Sequence, residues 1–395
     1  MYNEKMFQLG SKRSVIRELF EYGKKRAQEV GADKVYDFSL GNPNVPAPNA
    51  VKLAIEELIN EPDSTALHGY TSAQGDLTTR TVVADYINER FNVGITPDGI
   101  YMTVGAAASL CITLRALNEG NNEFIAFAPF FPEYTVFTES MGGKLNVVPF
   151  NEKDFAPDLK AFEEAITANT KGVIVNSPNN PSGVVYDKDT IIAICDILKK
   201  KSAEYNTHIF LIADEPYREL VFTDVEVPYL MNYYDDVVVC YSYSKVLSLP
   251  GERIGYIAVN PKAYDERRLY AAICGAGRAL GYVCAPSMFQ KVVTKCIRES
   301  ANIEAYRKNR DLIYNSLTEM GYQCVRPDGA FYLFLKTLDE DANAFCDVAK
   351  TYGLLIVPGD DFGAKGYARI SYCVSYDMIK RSLPAFKELY LRYAK

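Results

Sequence analysis

Five short apolar segments between residues 100 and 260 alternate with stretches that have helical periodicity. A short apolar run bounded by turn-forming residues is typical of a strand that is buried on both faces. Strands that alternate with amphipathic helices require crossover connections, which place neighbouring strands parallel. The sequence therefore predicts an α/β fold whose large domain has a mostly parallel, doubly wound sheet. The predicted strands are residues 100–104, 124–128, 173–175, 209–213 and 237–241, and helices are predicted at 158–166 and 188–201.

The two ends of the chain have a different pattern. Long helical segments are predicted at 286–320 and 377–393, and only two strands, at 330–335 and 368–373, accompany them. This pattern predicts a smaller α+β domain made from both ends of the chain. We expect residues 1–45 to form an N-terminal arm and part of the small domain, 46–284 the large domain, and 285–395 the small C-terminal domain.

Composition excludes several classes of function. The net charge of −7 argues against a general nucleic-acid binder, which normally has a basic face. The nine cysteines contain no C-x-x-C motif and the two histidines are 140 residues apart, so we expect no metal site. The N-terminus has no apolar signal segment and no run of 18 apolar residues occurs, which predicts a cytoplasmic protein without a membrane span.

Residues with useful chemistry follow each predicted strand. In an open α/β sheet, ligands bind outside the carboxyl ends of the strands, so these residues should lie close together. They are Gly105, Ala106 and Ala107 after the first strand, Phe131 after the second, Asn180 after the third, Asp214 and Tyr217 after the fourth, and Ser242, Lys245 and Arg253 after the fifth.

A lysine and an aspartate in this set suit a cofactor that combines an aldehyde with a pyridine ring. Lys245 is the candidate amine for an imine with the aldehyde, because a charged lysine directly after a buried strand would otherwise be costly. Asp214 can hold a proton on the pyridine nitrogen, which the ring needs in order to accept electrons.

The other residues suit the remaining parts of such a cofactor. Free amides at a helix start around Gly105–Ala107, together with Arg253, can bind a phosphate dianion. Phe131 can stack on the ring. Asn180 and Tyr217 can both form hydrogen bonds to its phenolate oxygen. The set therefore predicts a site for pyridoxal 5′-phosphate.

These motifs resemble those of the class I, fold-type I aminotransferases that use pyridoxal phosphate, and aspartate aminotransferases in particular. The resemblance runs from about Ser14 to Arg369 and covers most of the chain. Its most specific parts are Asn180-Pro-Ser-Gly183, Asp214-x-x-Tyr217, and Ser242-x-Ser-Lys245 with Arg253 eight residues later.

The resemblance implies roles for further residues. Lys245 would also move the proton between the substrate Cα and C4′ of the cofactor, and Ser242 would bind the phosphate. Tyr70 would reach the phosphate from the neighbouring subunit of a homodimer with shared active sites. Arg369, assisted by the backbone at Gly41 and by Asn180, would bind the substrate α-carboxylate. The implied reaction moves an amino group between an L-amino acid and a 2-oxo acid such as 2-oxoglutarate.

The segment around Arg278 bears on the side chain of the substrate. Arg278 lies 33 residues after Lys245, in a segment that loosely resembles the one carrying a subunit-crossing arginine in aspartate-type members. It predicts an aspartate-like substrate whose distal carboxylate Arg278 would bind. A carbon–sulfur β-lyase and a non-catalytic pyridoxal-phosphate-binding regulator are the alternatives, and the absence of a helix-turn-helix segment before Ser14 disfavours the regulator.

Overall fold

The structure is a computed structural model that describes residues 2–11 and 15–394, so Ser14, where the resemblance starts, lies outside the described residues. The fold has helices on both faces of a large central sheet and a second, smaller sheet. The α-helices are α1 Glu4–Ser11, α2 Val15–Val30, α3 Asn49–Asn60, α4 Ser64–His68, α5 Leu77–Phe91, α6 Ala106–Leu117, α7 Glu133–Ser140, α8 Leu159–Ala165, α9 Lys188–Tyr205, α10 Tyr243–Val246, α11 Glu266–Leu280, α12 Ser287–Cys296, α13 Ile303–Met320, α14 Ala342–Thr351 and α15 Tyr376–Tyr393.

Twelve strands form three sheets among the described residues. The large sheet has the order β2-β8-β7-β6-β5-β3-β4, and only β8 runs against the others. The predicted mostly parallel α/β sheet is therefore confirmed. The strands are β1 Tyr36–Asp37, β2 Ile100–Thr103, β3 Glu123–Phe127, β4 Lys144–Val148, β5 Thr170–Asn176, β6 Phe210–Asp214, β7 Val237–Ser242, β8 Gly255–Val259, β9 Tyr332–Lys336, β10 Leu354–Leu355, β11 Val357–Pro358 and β12 Tyr367–Ser371.

Alternating side chains of the central strands fill two separate cores. On β6, Leu211 and Ala213 point into the core on one face, whereas Ile212 points into the core on the other. Val238 and Val239 of β7 divide between the same two cores. This period of two, with apolar residues on both faces, explains why the strands appear in the sequence as continuous apolar runs.

The smaller unit joins both ends of the chain. Its three-stranded sheet has the order β11-β12-β9, and β1 pairs in parallel with β10. Phe38 from the N-terminal part packs in one core with Leu333, Ile370 and Phe386. The α+β unit made from both chain ends is therefore present.

The packing of α12 bears on the limits of the two domains. Val292, Val293 and Cys296 of α12 belong to the core of the large sheet, and this helix packs against α3 and α5. Tyr306 of α13 belongs to the core of the small sheet. We therefore propose that the large unit extends to about residue 300, beyond the limit of 284 expected from the sequence.

Three sequence expectations differ from the structure. The segment 286–320 is two helices, because Asn302 caps α13 at the Ala305 amide and the Ala301 amide donates to the Val246 carbonyl at 2.6 Å. The edge strand β4 and the antiparallel β8 were not predicted. The predicted strands end at residues 175, 213 and 241, whereas β5, β6 and β7 each continue for one more residue, to Asn176, Asp214 and Ser242.

In the part of the chain that is described, no helix is long and apolar enough to span a bilayer.

Candidate active site

A cavity of about 320 Å³ lies at the carboxyl ends of β5, β6 and β7, beside the small sheet. It brings together residues that are up to 353 positions apart in the chain, from Ile16 to Arg369. All but three of the predicted site residues line the cavity. The predicted residues that line it are Gly41, Ala106, Ala107, Phe131, Asn180, Asp214, Tyr217, Ser242, Lys245, Arg253 and Arg369.

Lys245 is held in α10, directly after β7, by the Ser242 side chain, which caps this helix at the Ser244 amide. The Lys245 Nζ donates to the Gly41 carbonyl at 2.9 Å. Burial lowers the pKa of Lys245 to about 8, and Arg253 and Arg369 also lower it. Among the described residues, no carboxylate is one of the groups that shift its pKa, and the Cys373 thiol is the group that raises it. A much larger fraction of Lys245 is therefore neutral and nucleophilic near neutral pH than of an ordinary lysine.

Asp214 is a buried carboxylate with one oxygen available. The Tyr134 hydroxyl donates to its Oδ2, and the Asn176 Nδ2 donates to its backbone carbonyl at 2.9 Å. Its Oδ1 is buried and has no hydrogen-bond partner among the described residues. Burial raises the pKa of Asp214 to about 7, against the opposing effect of Tyr134. A cationic N–H placed beside Oδ1 would complete this site and favour the ionised carboxylate.

The start of α6 and Arg253 form the part of the cavity suited to an anion. Gly105 precedes α6 with φ 92°, and a Cβ there would lie 2.6 Å from the Arg253 Nη2. The positive φ favours glycine at this position, and any larger residue would also push the Arg253 guanidinium away from the start of α6. The first-turn amides of α6, including those of Ala106 and Ala107, have no partner within the helix. Amides, a guanidinium and the helix dipole together favour a phosphate.

Arg369 is a buried cation that has no acidic partner in the part of the chain that the structure describes. It is 2% exposed, and its Nη1 and Nη2 donate to the Asn180 Oδ1 at 3.1 Å and the Ser39 carbonyl at 2.6 Å. Its Nε has no hydrogen-bond partner among the described residues. Burial lowers the pKa of Arg369, and no carboxylate is among the groups that oppose this effect. A buried guanidinium of this kind is stabilised by an anionic ligand.

Asn180, Tyr217 and Phe131 complete the predicted set. The Asn180 backbone amide donates to the Asn176 Oδ1 at 2.7 Å, which fixes the loop after β5, and the Asn180 side-chain Oδ1 accepts from Arg369. The Tyr217 and Tyr332 hydroxyl oxygens are 2.9 Å apart. The Phe131 ring meets the Tyr134 ring edge-on, with centroids 5.7 Å apart. All three side chains are thus oriented by neighbours in the folded chain.

Three predicted residues do not line the cavity of this chain. Gly105 lies immediately behind it, against Arg253. Tyr70 is 99% exposed, and Arg278 is exposed in the last turn of α11. Neither Tyr70 nor Arg278 is among the residues that line the cavity of this chain.

Three further residues were missed by sequence reasoning. Tyr134 contacts Asp214, although only its place three residues after Phe131 hinted at this. Tyr332 and Arg17 both line the cavity. Tyr332 begins the strand beside the one that carries Arg369, a signal that could have indicated its position. Nothing in the local sequence around Arg17 distinguishes it from other basic residues of α2.

Comparisons with known proteins agree with the geometry. Residues 33–386 match the model of the aminotransferase class I and II family. The crystal structure of an amino transferase from Eubacterium rectale is 56% identical, covers all of both chains and superposes with a TM-score of 0.98. A probable aspartate aminotransferase from Methanocaldococcus jannaschii is 30% identical over 96% of this chain and 97% of its own.

A more distant solved structure shows the same fold. The aspartate aminotransferase from Thermotoga maritima is 27% identical, with a TM-score of 0.84 over 95% of this chain and 97% of its own. The chain belongs to the class I and II aminotransferase family, and it is a transaminase of the fold-type I, pyridoxal-phosphate-dependent class.

The described residues fit the cofactor that this family implies. The unpartnered Oδ1 of Asp214 suits a pyridinium N–H, and the amides of α6 beside Arg253 suit a phosphate. The partly buried amine of Lys245 lies in the same cavity. A donor set of this kind suits pyridoxal phosphate better than a metal ion, which would need several carboxylate, imidazole or thiolate ligands.

We expect pyridoxal phosphate added to the apoprotein, followed by borohydride reduction, to label Lys245. Because burial lowers the pKa of Lys245, the rate of attachment should rise with pH and level off above about 8, whereas an ordinary lysine has a pKa of 10.5. Peptide mapping after reduction at several pH values measures both the site of attachment and its dependence on pH. Lys245→Ala should take up no label at this position. Labelling of a different lysine, or a midpoint near 10.5, would contradict the assignment.

Proposed function

We propose that this transaminase moves an amino group between an aspartate-like L-amino acid and a 2-oxo acid such as 2-oxoglutarate. The observation that carries the proposal is Arg369, a buried guanidinium that has no acidic partner among the described residues and faces the cavity of Lys245. A guanidinium binds a carboxylate through two parallel hydrogen bonds. Both amino acids and 2-oxo acids have the α-carboxylate that such a group recognises.

The cofactor would be held by contacts along the whole cavity. Asp214 would bind the pyridinium nitrogen, and Asn180 and Tyr217 the phenolate oxygen. Phe131 would stack on the ring. The amides of Ala106 and Ala107, with Ser242 and Arg253, would bind the phosphate.

Lys245 has two tasks in this proposal. When bound, pyridoxal phosphate supplies an electron sink that acidifies the Cα–H of the attached amino acid. Lys245 would hold the cofactor through its amine, and the same amine, when neutral, would move the proton between the substrate Cα and C4′. An amine with a pKa near 8 is well matched to both directions of this transfer. Arg369 holds the carboxylate so that the Cα–H bond faces Lys245.

The proposal is tested by mixing the cofactor-loaded protein with single L-amino acids in the absence of any 2-oxo acid. Aspartate and glutamate should convert the cofactor to its pyridoxamine form, which changes its absorbance, and 2-oxoglutarate should restore it. Asp214→Ala should slow the conversion at least about a hundredfold, because it removes the charge that stabilises electron flow into the ring. Release of pyruvate and ammonia without a 2-oxo acid would instead indicate a carbon–sulfur β-lyase.

The surface near Tyr70 supports a dimer with shared sites. Tyr70, Tyr282 and Val283 are exposed apolar residues, and the segments that carry them are joined by the Cys284 amide, which donates to the Ala73 carbonyl at 3.4 Å. Closed two-fold dimers are the commonest assembly, and an exposed apolar patch favours an interface. We propose that this patch pairs with a second copy and that Tyr70 reaches the phosphate site of that copy.

Hybrid dimers test the shared site. Lys245→Ala and Tyr70→Ala subunits should each have little activity alone. A 1:1 mixture that exchanges subunits should regain about a quarter of wild-type activity, because half of the dimers are hybrids with one intact site. Unmixed Lys245→Ala is the control, and sedimentation verifies the assembly. An active monomer, or full activity of Tyr70→Ala, would contradict the shared site.

Two arginines could bind the distal carboxylate of an aspartate-like substrate. The sequence prediction was Arg278, which is exposed and could act only across a dimer interface. Arg17 of α2 lines the cavity of its own chain together with Ile16 and Leu40. We therefore propose Arg17 as the selecting residue and retain Arg278 as the competing assignment.

Substitution of each arginine separates these assignments. Arg17→Ala should lower the ratio of kcat/KM for aspartate over alanine about ten- to a hundredfold, the effect of one charged hydrogen-bonding contact. Arg17→Lys keeps the charge but loses the paired geometry, so it should restore only part of the ratio. Arg278→Ala should leave the ratio within about twofold. A fall with Arg278→Ala and not with Arg17→Ala would reverse the assignment.

A further inference from the structure

Tyr332 occupies a central place in the cavity and has no role in the function described so far. It is the first residue of β9 and is 3% exposed. It pairs with Ser371 of β12, the strand that carries Arg369 two residues earlier. Its side chain therefore extends from the small sheet towards the carboxyl ends of the large sheet.

The Tyr332 hydroxyl has one hydrogen-bond partner among the described residues, the Tyr217 hydroxyl. Its oxygen is 2.9 Å from the Tyr217 hydroxyl oxygen, and either can be the donor. The two rings are nearly perpendicular, at 82° with centroids 5.7 Å apart. If Tyr332 donates, the proton of Tyr217 is free to point towards the cofactor oxygen that Tyr217 binds in the proposed function. The pair would thus orient a hydrogen bond that Tyr217 alone could lose by rotation of its hydroxyl.

The Tyr332 ring also orients Arg369. The Arg369 Cζ lies 4.8 Å from the centroid of the Tyr332 ring and 4.9 Å from that of Phe362. A cation near an aromatic face is stabilised without being neutralised. The guanidinium is therefore held in place while its charge remains available to a substrate carboxylate.

The same hydroxyl constrains the loop that faces Lys245. A Cβ on residue 41 would collide with the Tyr332 hydroxyl, so this position requires glycine. The carbonyl of Gly41 accepts the hydrogen bond from Lys245 at 2.9 Å. Tyr332 thus contacts Tyr217, Arg369 and Gly41. In the proposed function these residues face the phenolate oxygen of the cofactor, the substrate carboxylate and Lys245, respectively.

We propose that Tyr332 is a positioning residue that directs the Tyr217 hydroxyl to the phenolate oxygen of the cofactor and holds the Arg369 guanidinium for the substrate carboxylate. The inference rests on the proposed function, because both targets are ligands of that reaction. The charged and titratable groups that face the pair are Lys245 on α10, Asp214 on β6, and Arg369 and Cys373 on and after β12. None of them is removed by a Tyr332→Phe substitution.

The decisive measurement is the pH at which the absorbance of the bound cofactor changes. Donation from Tyr217 stabilises the phenolate, and so it favours loss of the proton shared between the cofactor and Lys245. Tyr332→Phe should weaken this donation and raise the absorbance midpoint by about 0.5–1 pH unit, the size of one hydrogen bond. In a Tyr217→Phe background the same change should add little, because the hydroxyl pair is already lost.

The ring and the hydroxyl can be tested separately. Tyr332→Phe keeps the ring, so the affinity for a dicarboxylate inhibitor such as maleate should change by less than about threefold. Tyr332→Leu removes the ring as well and should weaken maleate binding about tenfold. Tyr322→Phe is the matched control, because its hydroxyl donates to the Phe386 carbonyl at 2.9 Å within the core of the small sheet and not in the cavity. The Tyr322→Phe substitution should change neither the pH midpoint of the cofactor absorbance nor the affinity for maleate.

The outcomes distinguish a failure of the role proposed for Tyr332 from a failure of the proposed function on which it rests. A wild-type protein that binds no pyridoxal phosphate would overturn the proposed function itself. Wild-type protein with normal cofactor absorbance, combined with an unchanged midpoint in folded Tyr332→Phe, would overturn only the role of Tyr332. An equal shift in the presence and absence of the Tyr217 hydroxyl would show that Tyr332 acts through general packing, which also contradicts the inference. Thermal unfolding of each variant verifies the fold.

Discussion

The burial of the Asp214 carboxylate is the constraint on which the site depends. Moving its pKa from an ordinary 3.8 to about 7 corresponds to about 4 kcal/mol in favour of the protonated form. The Tyr134 hydroxyl donates a hydrogen bond to the Asp214 Oδ2, and the Oδ1 has no hydrogen-bond partner among the described residues. A structure that keeps such a group at the floor of a cavity is organised to receive a cation there. The position of Asp214 at the end of a central parallel strand makes that floor rigid.

Three basic side chains line the same cavity as this carboxylate, at different depths. Arg253 is the most exposed and lies beside the start of α6, Lys245 is partly buried, and Arg369 is almost fully buried. In the proposed function, this gradient matches a phosphate near solvent, an amine that must change its protonation state, and a carboxylate enclosed between rings. Removal from water strengthens each of these interactions, because the effective dielectric constant falls with burial.

The cavity is built from both units of the fold. The large unit contributes Asp214 at the end of β6 and Lys245 in α10, whereas the small sheet contributes Arg369 and Tyr332. The hydrogen bond between Tyr217 and Tyr332 and the one between Arg369 and Asn180 cross from one unit to the other. In the proposed function, a displacement of the small sheet would therefore alter the binding of the substrate carboxylate and the environment of the cofactor's phenolate oxygen together. This coupling gives a physical reason for binding of substrate to be linked to the geometry of the reacting atoms.

The sequence by itself determined the central strands, the residues that follow them and hence the chemistry of the cavity. Short apolar runs and the residue types after them are local information, and the common direction of parallel strands gathers their ends without further specification. Lys245, Asp214 and Asn180 were predicted in this way, and all three line the cavity. The tertiary structure decided what depends on contacts between distant segments. Tyr217 and Tyr332 are 115 residues apart, the break between α12 and α13 involves a bond to Val246, and β8 is antiparallel through its pairing with β2 and β7. No local pattern encodes such partners, because they are selected by packing and hydrogen bonding only when the whole chain has folded.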